Sequence, residues 1–86
     1  MPEISRFLGI VITMYHHDHN FPHFHARYNE FKGVFSIDDI EMIEGRMPDR
    51  IINIVLEWTK LHQQELLNNW RLAQQQKPLN KIEPLV

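Results

Sequence analysis

The apolar residues of this chain change their spacing once, at Pro48, and that change constrains the fold more than any other feature. Before it they come in short runs rich in β-branched and aromatic residues, separated by turn formers. After it they recur at the 3.6-residue interval of an amphipathic helix. A sheet followed by a helix is an α+β arrangement. Residues 7–15 (FLGIVITMY) read as one strand, apolar on both faces and so central in its sheet. In residues 16–22 (HHDHNFP), Asp18, Asn20 and Pro22 favour a loop. His23 to Tyr28 reads as a second strand, Asn29 and Glu30 as a turn, and residues 31–37 as a third strand. Glu41 to Arg46 could add a short edge strand before Gly45 breaks it. The expectation is a three-stranded antiparallel sheet, or four-stranded with that edge, then one long C-terminal helix and an extended tail.

Over residues 48–76 one helical phase places Ile51, Val55, Trp58, His62, Leu66 and Ala73 on one face. Asn53, Glu57, Lys60, Gln64, Asn68, Arg71 and Gln75 fall opposite. The apolar arc is widened by Leu56 and Leu67 on one flank and by Ile54, Leu61 and Leu72 on the other, more than a small sheet can cover. Either the tail (Leu79, Ile82, Leu85, Val86) folds back over a flank, or a second chain does, as a homo-oligomer or a different protein. On the second alternative Trp58, Leu61, Leu67 and Trp70 would be interface anchors.

With 86 residues the chain forms a single domain over 1–86, whose core buries only about 60% of the unfolded surface. It has no cysteine, hence neither disulfide nor thiolate metal site. The first residues lack the basic start and long apolar stretch of a secretion signal, and no run suffices to cross a bilayer, so a cytoplasmic location is expected. The net charge of −2 excludes a uniformly basic nucleic-acid binder but not a local basic face.

Five of the six histidines (His16, His17, His19, His23, His25) fall within ten residues, together with Asp18. Alternation along a strand projects His23, His25 and Arg27 from one face. Three readings follow. His19, His23 and His25 could ligate a divalent metal such as zinc, as in a metal-dependent hydrolase. Alternatively, His23 and His25 could act as an acid/base pair on RNA, with Asp18 or His19 orienting one of them and Arg27 and Lys32 holding phosphate. Arg46 and Arg50 could extend that phosphate path. Or the histidines could simply decorate an exposed face. His62 reads as a core histidine satisfied by backbone or a nearby carboxylate, or, if the helix packs over the face of His23 and His25, as a further ligand, with Glu65, one turn on, as its orienting carboxylate.

Four stretches, MPEISRFLGIVITMY, DHNFPHFHARY, LEWTKLHQQELLNNW and KPLNKIEPL, together resemble a family of short bacterial proteins catalogued as a domain of unknown function, family four-one-six-zero. The resemblance spans nearly every residue. Two prolines usually follow the Asp-His-Asn of that pattern, and here Phe21 replaces the first while Asp18, His19, His23 and His25 stand in place. Membership implies a gene lying beside that of another small protein, an arrangement similar to toxin and antitoxin pairs. The strand and histidine layout also resembles small toxins that cleave messenger RNA with a histidine on a three-stranded sheet, although their helix before the first strand is missing here. The leading expectation is therefore a toxin-like domain acting on RNA, a ribonuclease-type enzyme with a neighbour-encoded protein partner. The alternative is a non-catalytic interaction module.

Overall fold

The run over residues 7–15 is not one strand. Leu8 and Gly9 both take positive φ, 51° and 78°, the combination of a two-residue hairpin turn whose twist suits the flanking strands. Phe7 pairs directly with Ile10 across it. The computed structural model, which describes residues 3–16 and 21–86, therefore has β1 (Glu3–Phe7) and β2 (Ile10–Thr13) where one central strand is expected, with β1 at the sheet edge. Left-handed backbone costs an L-residue about 1–2 kcal/mol, so leucine is a poor sign of such a turn and Gly9 alone signals the reversal.

Three further strands follow, β3 (His23–Tyr28), β4 (Phe31–Ser36) and β5 (Glu41–Arg46), and the five form an antiparallel meander in the order β1-β2-β3-β4-β5. The expected three- or four-stranded sheet is thus five-stranded. Nor does Gly45 end β5, which runs through it at a φ of 98°. A Cβ at Gly45 would stand 2.3 Å from the Lys32 carbonyl oxygen, so the missing side chain lets the two backbones close up. Between the Val34–Glu44 and Phe35–Met42 pairs, Ile43 is an extra residue, a bulge that twists the outer edge of β5.

The helical region is also divided, into α1 (Asp49–Leu61) and α2 (Gln63–Gln74). His62 leaves helical geometry, with φ −119° and ψ 22°. Its N–H is shared between the Trp58 and Thr59 carbonyls at 3.1 and 3.2 Å. One turn earlier the Thr59 hydroxyl donates to the Val55 carbonyl at 2.7 Å, a back-bond that bends helices. The Gln63 amide then donates to the Ile37 carbonyl at 2.9 Å, tying the break to the turn between β4 and β5. The break costs one residue and preserves the phase, so Ile51, Val55, Trp58, Leu66 and Ala73 are all buried as the periodicity predicts.

The first helix packs on one side of the sheet. Phe24 and Phe35, cross-strand partners on β3 and β4, stack at 5.4 Å. Trp58 of α1 meets Phe24 edge-on at 5.8 Å and Phe7 of β1 at 5.4 Å. The chain's own tail covers part of the helices' surplus apolar face. Ile82 is buried and its N–H donates to the Ile4 carbonyl on β1. Trp58 Nε1 donates to the Glu83 carbonyl, and the buried Asn69 amide bonds both backbone groups of Asn80 at 2.9 Å. Among the four expected interface residues, Trp58 and Trp70 are buried within the chain, Leu67 packs partly buried against the core, and Leu61 is 66% exposed.

Candidate functional site

With α1 on the Phe24 side of β3, His25 and Arg27 face away from it, while His23, at the start of the same alternation, is buried against Trp70 of α2. An open groove of about 580 Å³ lies along the His25 and Arg27 side of the sheet. Arg6, Val11, Arg27 and Lys32 line it, and the strand register aligns them with Arg46. Arg6 on β1 pairs with Val11 on β2, Val11 with Arg27 on β3, Arg27 with Lys32 on β4, and Lys32 with Arg46 on β5. Four cations therefore stand in one transverse row across five strands, on a chain whose net charge is −2. Arg27, Lys32 and Arg46 are consecutive in it, each exposed. Like charges directly opposite on neighbouring strands destabilise a sheet, so the row is a local cost to folding. Arg6 is braced by Glu3, which accepts from its Nε and Nη2 at 3.2 and 2.7 Å. Those bonds hold the Glu3 carboxyl below its ordinary value and raise the guanidinium above its own.

The next row, about 7 Å along the strands, runs through Glu3, Thr13, His25, Val34 and Glu44. His25 occupies its centre, half-buried, with the Tyr15 ring edge-on at a centroid distance of 4.7 Å. His23 also lies beside it, at 5.4 Å and edge-on. His23 differs from His25 in being 6% exposed. Its Nδ1 lies 2.8 Å from the Phe21 carbonyl; a carbonyl only accepts, so Nδ1 carries the proton. Phe21 and Trp70 pack on the ring at 5.2 and 5.1 Å. The two histidines expected to act as equals are thus one groove residue and one buried residue that braces it.

Arg27 and Lys32 lie side by side and Arg46 continues their row, whereas Arg50 sits in the first turn of α1 in the helical layer. His62 also belongs to that layer: its Nδ1 donates to the Glu65 carboxylate at 2.6 Å, the partner the sequence predicts, and its ring packs 5.5 Å from Trp58. His16 is a clamp, its Nε2 donating to the Lys77 carbonyl at 2.8 Å, which ties the end of β2 to the end of α2. Asp18, His19 and His17 lie outside the described residues, and so does the third ligand of the His19, His23, His25 metal set. Among the described residues no group of three metal-ligating side chains occurs. The sequence reading missed Arg6, Thr13, Tyr15 and Glu44. A first strand read over residues 7–15 leaves Glu3 to Arg6 outside any strand and hides the register that aligns Arg6 with Arg27, and the Gly9 turn was the available signal.

The family assignment rests on more than half of the chain. The family model described as Domain of unknown function (DUF4160) matches residues 9–71, from the first hairpin turn into α2. The chain belongs to this family. No curated protein and no solved structure matches it. Within this DUF4160 domain the matched stretch holds His25, Arg27, Lys32 and Arg46, while Arg6 and the tail that pairs with β1 lie outside it. Among the described residues no helix is long and apolar enough to cross a membrane.

Proposed function

We propose that this DUF4160 domain binds single-stranded RNA across the open face of its sheet and cleaves it by proton transfer at His25. One observation carries the reading: the transverse row of Arg6, Arg27, Lys32 and Arg46 beside a central histidine. Aligned cations that repel one another in the free protein gain most from a polyanion, because phosphates neutralise the repulsion and release their own counterions. The open groove admits a single strand, and Tyr15 offers an aromatic surface beside the reacting position.

In this mechanism a phosphodiester lies between the basic row and His25. The imidazole takes the proton of the adjacent 2′-hydroxyl, and the 2′-oxygen attacks phosphorus. The bond to the 5′-oxygen breaks, and that oxygen takes its proton from solvent. The products are a 2′,3′-cyclic phosphate and a free 5′-hydroxyl. Arg27 and Lys32 stabilise the charge gathering on the phosphoryl oxygens, and His23, held by Phe21 and Trp70, positions the His25 ring. In a toxin-like role, a neighbour-encoded partner would silence the domain by covering this face. The interaction-module reading has less support, since the chain's own tail covers part of the apolar helix face that motivated it.

The test compares wild type with His25→Ala on a single-stranded RNA and on the DNA of the same sequence. The RNA should be cut to cyclic-phosphate ends and the DNA bound but left intact. His25→Ala should lower the cleavage rate by about 10²- to 10⁴-fold with binding nearly unchanged. Equal cleavage by the variant would remove His25 from the chemistry, and no binding of either strand at low salt would end the proposal.

A further inference from the structure

Phe21 is a large apolar side chain in an unexpected place, 47% exposed two residues before β3. A surface phenylalanine on a loose loop would carry no meaning, but this one is held on both sides. Its carbonyl accepts from His23 Nδ1. The following Pro22 restricts its backbone, and the Pro22 carbonyl accepts from the Ile37 N–H at 3.1 Å, anchoring the segment to the end of β4. The ring leans on His23 at 5.2 Å, tilted by 49°, and His23 is in turn wedged against Trp70 at 5.1 Å, tilted by 50°. Phe21, two residues before β3, is followed by His23 and His25 on the strand at ring spacings of 5.2 and 5.4 Å, with Arg27 beyond.

We infer that Phe21 is a base-stacking platform, which takes an unpaired nucleobase next to the phosphate handled by His25. The inference rests on the RNA reading and adds a substrate class to it: a strand whose bases are free to splay out, as opposed to a duplex, whose bases are stacked on each other. A fixed aromatic ring backed by buried partners loses little freedom on binding, which makes stacking effective. Every base has a π-face, so the site selects for unpaired character more than for sequence.

The experiment measures equilibrium binding of a fluorescent single-stranded RNA and of an oligonucleotide with the same backbone but abasic at every position. The proteins are wild type, Phe21→Leu, Phe21→Trp and the double variant Arg27→Gln, Lys32→Gln. Phe21→Leu keeps an apolar contact with His23 but has no ring, and thermal melting establishes that it folds. It should bind RNA about 5- to 100-fold more weakly, the range of one base–aromatic stack. Phe21→Trp should restore binding, and the abasic strand should not distinguish wild type from Phe21→Leu. If Phe21→Leu binds RNA like wild type while the double variant binds poorly, the stacking platform is refuted and the phosphate row stands. If wild type binds neither strand, the RNA reading falls and takes the platform with it.

Discussion

Lys32 stands between Arg27 and Arg46 in the basic row, so Lys32→Glu tests the row without any ligand. Directly opposed side chains on antiparallel strands lie about 4.5–5.5 Å apart at Cβ, and each charge pair contributes roughly 0.2–1 kcal/mol. The substitution converts two repulsive pairs into two attractive ones. All three side chains are exposed, so solvent screening places the sum at the lower end, about 1 kcal/mol in favour of the variant. Glu44 is only a diagonal neighbour, some 7–8 Å away, and offsets part of this. For a chain of this length, about 1 kcal/mol corresponds to roughly 4–8 °C in Tm. The assay is thermal unfolding at low ionic strength and again at 1 M salt, where the Debye length of about 3 Å should erase the difference. The same variant should lose RNA affinity and flatten its salt dependence, since a cation that neutralises single-strand phosphate contributes about 0.7 to the logarithmic slope. A Lys32→Glu protein that melts at or below wild type in low salt would refute the aligned row, and with it the claim that fold stability is given up there for anion binding.

Two further substitutions examine the sheet itself. Leu8→Asn places Asn-Gly in the first hairpin turn, where Leu8 now holds positive φ while 55% exposed, and should stabilise the fold by about 1 kcal/mol, read as a higher urea midpoint with an unchanged slope. Gly45→Ala should do the opposite, because its Cβ meets the Lys32 carbonyl oxygen at 2.3 Å on a backbone with φ of 98°. A loss of about 2 kcal/mol or more is expected, together with weaker RNA binding as β5 carries Arg46 out of the row, and a variant as stable as wild type would show that the β4–β5 approach is looser than described.

Most of the second half was legible from periodicity. The buried and exposed faces of α1 and α2 follow the 3.6-residue pattern because each helix presents its side chains by local geometry alone. The break at His62 was not legible. It arises from Thr59 turning its hydroxyl onto Val55 and from Gln63 reaching the Ile37 carbonyl, and the second is a contact between residues far apart in the chain. The strands β3 and β4 and the turn at Asn29 were legible from β-branched and aromatic runs bounded by turn formers. The β1–β2 hairpin was hidden by a leucine in a left-handed position.

What the sequence by itself determined is which residues share a face: His23, His25 and Arg27 along one strand, and the apolar stripe along the helices. These are consequences of backbone geometry within a single element. Tertiary structure alone decided what stands beside what. Register across five strands set Arg6, Arg27, Lys32 and Arg46 in one line, packing buried His23 and left His25 in the groove, and the tail returned onto β1. A one-residue slip in any strand pairing would send its side chains to the other face. The candidate site is thus a property of the register, which no local stretch of sequence encodes.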